Sequence, residues 1–165
     1  MRRFARLALA AVAVLSLAAC GNEKLAKENL QAGTEFLETN AKAEGVKVLP
    51  SGVQYRVIRS GPSTGVQPRR GDELKVHYEG KLLNGTVFDS SYERGAPAVM
   101  PFRSLIKAWM EILPMMRPGD EWFIYVPPEM GYGEDGGGPI PPNAVLIFRI
   151  ELIDVLPAGG NQAQG

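Results

Sequence analysis

Tyr78, Phe88 and Asp89 are the residues of this chain placed to act together, because one short stretch carries all three. That stretch, Val76 to Ser91, reads as strand, tight turn, strand. Leu74, Val76 and Tyr78 alternate with Glu73, Lys75, His77 and Glu79, the period-2 pattern of a half-buried strand. Asn84-Gly85 supplies two residues that tolerate positive φ, which predicts a two-residue hairpin turn. Tyr78 then points inward, and the returning strand brings Phe88 and Asp89 towards the same region. Two aromatics and a carboxylate near one apolar surface describe a pocket, or, as readily, two core rings beside an acid. Alternation alone sends adjacent Phe88 and Asp89 to opposite faces. Covalent machinery is hard to assemble here. The chain has one histidine and one cysteine, so an internal disulfide and a Cys-rich metal cluster are excluded, and a Ser-His-Asp device would rest on His77 alone. His77 alternates outward with Lys75 and Glu79, which makes it structural or solvated and not catalytic.

The 165 residues have room for one ordinary domain and a leader. Basic and acidic residues number 18 each, so no net field draws the protein to nucleic acid, and Arg69-Arg70 is too short to be a basic patch. Arg2, Arg3 and Arg6 precede the apolar run Leu7 to Leu17, which falls short of the ~20 residues a membrane span needs and reads as a secretory signal over 1–19. Its end, Leu17-Ala18-Ala19-Cys20, resembles the bacterial lipobox, which implies a lipid on Cys20 and attachment to the membrane through that anchor. An ordinary cleavage site followed by a free thiol is the plainer alternative. Gly21 is not the aspartate of inner-membrane retention, which favours the outer membrane, facing periplasm or cell surface.

Asn22 to Ala43 has charge pairs at helical spacing, a thin stripe of Leu30, Gly33, Leu37 and Ala41 with Phe36 beside it, and Gly45 as C-terminal cap. It predicts a spacer helix of a few turns, within 20–45, on a monomer. Strands are expected at Val46 to Leu49 and Val53 to Ile58, around the turn Pro50-Ser51-Gly52. Gly61 to Gly71 and Ser90 to Pro97 are loops, the second carrying Arg94, and Ala98 to Met100 returns briefly as strand. Ser104 to Leu113 has helical spacing in Leu105, Trp109 and Ile112-Leu113, with Ser104 as cap and Pro114 as stop. Trp122, Ile124 and Val126 alternate. Pro127 to Asn143 is a long loop crowded with Gly and Pro, of the kind that is usually functional. Leu146, Phe148, Ile150 and Leu152 share one face of a last strand, Val145 to Val155, and a polar tail over 157–165 is expected to be disordered. One short apolar helix among strands does not make a βαβ array. The expected fold is α+β, a curved antiparallel sheet wrapped around one short helix, over 46–156 and preceded by the N-terminal helix.

The string Val76-His77-Tyr78-Glu79-Gly80, Asn84-Gly85 and Phe88-Asp89-Ser90-Ser91 resembles the FKBP-type peptidyl-prolyl cis-trans isomerases. The match continues in order through Trp109, Gly131-Tyr132-Gly133, Ile140-Pro141-Pro142 and Leu146-Ile147-Phe148, and covers Val46 to Leu156. It is nearest the bacterial branch that includes the macrophage infectivity potentiator, whose members have a similar lead-in to Phe36 through Lys47 and Leu49 through Tyr55.

The resemblance implies rotation about X–Pro bonds during the folding of exported proteins. That rotation meets a barrier near ~20 kcal/mol and makes or breaks no bond, so no metal or cofactor is needed. The twisted amide is less polar than the planar one, and an apolar, water-poor pocket favours it. Lowering the barrier by about 4 kcal/mol gives roughly a thousandfold. Position by position, the resemblance makes Trp109 the floor and Tyr78, Phe88 and Phe148 the walls, with Leu105, Ile106 and Ile140 completing the lining. The Ile106 N–H would hold a substrate carbonyl, the Tyr132 hydroxyl would bond the substrate from the loop above, and Asp89 would be tethered by Arg94. Proline-containing polypeptides and the family's macrolide inhibitors are the implied ligands. Many members carry Phe where this chain has Ala98, which opens that side of the pocket, and Ala108 replaces the Gly before the tryptophan. A non-catalytic peptide-binding chaperone or surface-interaction lipoprotein is the alternative use of the same pocket, and completeness of the aromatic box is what separates the two.

Overall fold

The computed structural model describes residues 5–158, with side chains from residue 21 onward. The expectations of signal cleavage, of a lipid on Cys20 and of a disordered tail past residue 158 lie outside the described residues or side chains. The chain runs α1 (Ala5–Asn40), β1 (Val46–Val48), β2 (Gln54–Arg59), β3 (Glu73–Leu82), β4 (Val87–Ser90), β5 (Ala98–Pro101), α2 (Lys107–Ile112), β6 (Glu121–Val126) and β7 (Leu146–Leu156). All strand pairs are antiparallel. The order across the sheet is β1-β2-β6-β7-β3-β4, with β5 also on β3. The expected α+β architecture is the one observed.

Strict alternation makes β3 and β7 the spine. Leu74, Val76 and Tyr78 of β3 and Leu146, Phe148, Ile150 and Leu152 of β7 are all buried, as the sequence pattern requires. Between Lys75 and Val76 the register slips, Lys75 facing Asp154 and Val76 facing Leu152, and past this bulge Val155 takes over the inward position. The sheet curls round α2, whose Trp109 and Ile112, with Leu113 and Met116 just beyond, form the centre of the core.

Three local expectations are corrected. In the hairpin, Gly85 N–H donates to the Leu82 carbonyl, so Leu83 and Asn84 are the turn's central residues and only Gly85 has positive φ, at 86°. The loop is thus three residues with the glycine in the bulge position, and the Asn84 side chain accepts from Thr86 N–H at 3.0 Å. Ser104 does not cap α2. It ends a 3-10 turn (Phe102–Ser104), Leu105 and Ile106 are extended, and Ile106 is the N-cap with no side-chain hydrogen bond. Pro114 does stop the run: α2 ends at Ile112 with Leu113 as C-cap, and Pro114 lies in the 3-10 turn (Leu113–Met115) that follows.

The third correction is to α1, which is docked on the sheet and is no simple spacer. Gly33 is buried, and a Cβ there would lie 2.7 Å from Val145 Cγ2. Phe36 packs on Tyr125 with ring centroids 5.9 Å apart, and the buried Gln54 both accepts from Asn40 Nδ2 and donates to the Leu37 carbonyl, each at 2.8 Å. The docked face therefore runs through Ala26, Asn29, Gly33, Phe36, Leu37 and Asn40. Leu30, assigned to the stripe from sequence, is 50% exposed. Gly33 and Leu37 of the stripe, and Phe36 beside it, do lie on the docked face, and the polar ties of Asn29 and Asn40 are what a stripe counted in apolar residues missed. Gly45, at φ 75°, sits in the turn joining α1 to β1, where Val46 N–H meets the Ala43 carbonyl, and does not cap the helix, which ends at Asn40. Gly33→Leu is expected to lift α1 from the sheet, because overpacking costs about 1–3 kcal/mol. Tryptic cleavage at the exposed Lys42 should quicken roughly tenfold over a Gln31→Leu control; equal rates would place the docking elsewhere.

Candidate active site

The pocket begins with an irregularity. Gly80 faces Asp89 while Lys81 faces Val87, so Phe88 is the extra residue of a β-bulge. A bulge turns the side chains of successive residues towards one side. Phe88 and Asp89 both line the same cavity for this reason, in the way that simple alternation forbids. Gly80 leaves the space for it, since a Cβ there would lie 2.6 Å from Phe88 Cζ and 2.7 Å from Phe148 Cε1. A glycine interior to a strand signals a bulge or a close approach, and Gly80 was the available clue to both.

Four rings then close on one another edge to face. Tyr78 meets Trp109 at 5.3 Å and 84°, Trp109 meets Phe148 at 5.2 Å and 81°, and Phe148 meets Phe88 at 5.6 Å and 88°. These are the favoured aromatic geometries, each worth roughly 0.5–1.5 kcal/mol beyond area burial. Trp109 lies on the first turn of α2, and its buried Nε1 has no hydrogen-bond partner. Leu105 and Ile106 reach the cavity because their extended backbone precedes the helix, and the N–H of an N-cap has no acceptor within its own helix. The cavity volume is about 160 Å³, below the ~300–1,000 Å³ of drug-sized sites and on the scale of a small ring.

The rim is polar. The Tyr78 hydroxyl donates to Asp89 Oδ2, and Arg94 Nη1 donates to Asp89 Oδ1. Arg94 Nη2 donates to Tyr78 Oη at 3.1 Å, and the guanidinium lies 5.5 Å from the Tyr78 ring centroid. Arg94 thus tethers Asp89 from the rim and does not line the cavity. Burial pushes the Asp89 carboxyl up, but the hydrogen bonds from Tyr78 and Arg94 and the charge of Arg94 together outweigh it, and Asp89 ends below the usual carboxylate range. Burial, then the bond to Asp89, push the Tyr78 phenol above its ordinary value. The carboxylate's contribution is therefore present above the unfolded value near ~3.9 and fades as pH falls through the lowered one. The phenol's is present below ~10 and is lost as pH rises through the raised one. Peptide affinity is expected to be flat from about pH 5 to 9. An inflection near neutrality in a fluorescence titration of Trp109 would show that another group controls the rim.

His77 braces the site from behind. Its Nδ1 lies 2.9 Å from Ser91 Oγ, which accepts from Tyr78 N–H at 2.7 Å and lies 3.1 Å from the Tyr78 carbonyl. The imidazole stacks on Tyr92 at 4.6 Å. Tyr132, 43% exposed, reaches the cavity from the long loop. Ile140 does not line it. It belongs to that loop and turns into the core, at 5% exposure, and Met100 and Ser104 take the remaining lining positions. Met100 follows Ala98 by two residues along β5 and so shares its face, which was the signal for it.

Residues 65–153 match the family described as FKBP-type peptidyl-prolyl cis-trans isomerase, and residues 8–57 match the domain amino terminal to it. The chain belongs to the FKBP-type peptidyl-prolyl cis-trans isomerase family. It is 51% identical over 128 residues to peptidyl-prolyl cis-trans isomerase Mip of Coxiella burnetii, covering 77% of this chain and 55% of that one. To the outer membrane protein MIP of Legionella longbeachae it is 44% identical over 133 residues, 80% of this chain and 56% of the relative. The chain thus spans about half the length of the curated relatives it matches. The crystal structure of FkpA from Escherichia coli superposes with a TM-score of 0.88 at 38% identity, covering 93% of this chain and 71% of that one.

Proposed function

We propose that this chain is a peptidyl-prolyl cis-trans isomerase acting on proline-containing polypeptides, with the four-ring cavity as its active site. The observation that carries the reading is the cage of Tyr78, Trp109, Phe148 and Phe88, closed at the rim by Asp89. A prolyl ring entering it leaves water, and the X–Pro amide lies across the rim, where the Ile106 N–H and the Tyr132 hydroxyl hold substrate carbonyls. As the C–N bond twists it loses double-bond character, and its nitrogen becomes pyramidal and more basic. The dry aromatic wall lowers the cost of the less polar twisted amide, and the preorganised rim requires no rearrangement as it forms. Asp89, fixed by Tyr78 and Arg94, keeps the wall in place and supplies a negative field beside the twisting bond.

The attachment expected from Cys20, and an outer-membrane site, belong to the same proposal and draw support from the lipobox and from the Legionella relative's name. Among the described residues no helix is long and apolar enough to cross a membrane. Exported proteins are then the clients, and macrolides of the kind that bind this family should compete with peptide. The deciding measurement is cis-to-trans conversion of short peptides with varied residues before proline, on the polypeptide from Gly21 onward. Rates above the uncatalysed one, abolished by macrolide, are expected. If none appears across the panel while peptide still quenches Trp109, the cavity is a binding site without catalysis.

A further inference from the structure

We infer that α1 is a clamp on the substrate loop, with Asn29 and Asn143 as the positioning residues that hold Tyr132 over the pocket. The inference rests on the isomerase reading for Tyr132's role. Asn143 is the one non-glycine residue with positive φ, 53°, among the described residues, a conformation that asparagine tolerates better than most. It is bonded on two sides. Its backbone N–H donates to the Gly133 carbonyl at 2.9 Å, closing the base of the loop next to Tyr132. Its side-chain Nδ2 donates to the Ala26 carbonyl of α1 at 3.3 Å. One residue earlier, the Pro142 carbonyl accepts from Asn29 Nδ2 at 2.8 Å. Two asparagines therefore cross-link the helix and the loop's end in opposite directions.

Within the loop, Gly137 and Ile140 exchange two backbone hydrogen bonds, of 2.8 and 2.9 Å, making a small rigid turn. The Tyr132 ring rests on that turn, where a Cβ on Gly137 would lie 3.0 Å from Tyr132 Cδ1. A fixed route of contacts thus joins the helix to the rim: Ala26 and Asn29, Pro142 and Asn143, Gly133 and the Gly137 turn, Tyr132. Glycines at 133, 136 and 138 all adopt positive φ, so the loop has little stiffness of its own and takes it from these ties. Among the described residues none of α1 lines the pocket, so these two ties act on it by placing the loop.

The test uses Asn29→Ala, which suits a helix, and Asn143→Gly, which keeps the positive φ and the bond to Gly133 but loses the tie to Ala26. Gln31→Ala, on the exposed face of α1, is the control. The expected result for each variant is a KM raised about fivefold with kcat unchanged, the loss of a binding contact made equally in ground and transition states. Combined with Tyr132→Phe, the increases should be far from additive, because the ties act through that hydroxyl's position. Amide exchange at Gly137 and Ile140 should also quicken about fivefold. Unchanged exchange, or KM effects that add fully to that of Tyr132→Phe, would overturn the clamp. Should the wild type show no turnover at all, the isomerase reading fails by itself and the exchange rates still decide whether α1 holds the loop.

Discussion

Phe88→Ala is expected to lower kcat/KM for proline peptides by about 30- to 100-fold while the protein stays folded. Phe88 is only partly buried and touches the box at one ring, Phe148, so the core beneath it keeps its packing. What is lost is the wall that keeps water from the twisting amide. Losing 2–3 kcal/mol of that differential stabilisation corresponds to roughly this range. Asp89→Ala should fall nearly as far, since it leaves the Tyr78 hydroxyl and the Arg94 guanidinium without their acceptor. Tyr132→Phe removes one rim hydrogen bond to a neutral group and should cost only about fivefold. Unfolding curves measured beside the kinetics separate the effects. If Tyr132→Phe proves the most damaging of the three, catalysis resides in the rim donors and not in the aromatic cage.

The second large effect is expected from the smallest change, Gly80→Ala. One methyl group at this position would lie 2.6–2.7 Å from carbons of two different rings, Phe88 and Phe148. Phe148 cannot withdraw freely, because it is packed on Trp109 as well. Overpacking of this kind costs about 1–3 kcal/mol, and the β-bulge that brings Phe88 and Asp89 to one side would have to open. Turnover should fall by more than tenfold, with a lower urea midpoint and an unchanged slope. Gly85→Ala is the contrast, with open space around it but a φ of 86°, so it strains the turn without touching the rings. It should lose stability and keep its turnover per folded molecule. An unaltered midpoint and rate in Gly80→Ala would mean that the rings are free to move.

The sequence by itself determined the sheet and its core. Alternation along β3 and β7 is a local property with a period of two, and it survives any arrangement of the other strands. The same holds for the aromatic identities at 78, 88, 109 and 148, whose ordered motifs carried the family. Tertiary structure decided everything that depends on an interruption of period. Phe88 and Asp89 reach one cavity only because Gly80 and Asp89 pair one step out of register with Lys81 and Val87. Ser104 has the chemistry of a cap, yet the chain stays extended through Leu105 and Ile106, placing both at the pocket and moving the helix start to Lys107. The family resemblance makes Ile140 lining, but the fold sinks it into the core. The docking of α1 was the least legible feature. Beside the Gly33 and Phe36 contacts it rests on Asn29, Asn40, Gln54 and Asn143, whose partners are up to 117 residues away in the chain. A hydrogen bond between distant polar residues has no periodicity, so only the folded chain shows which of its asparagines are structural.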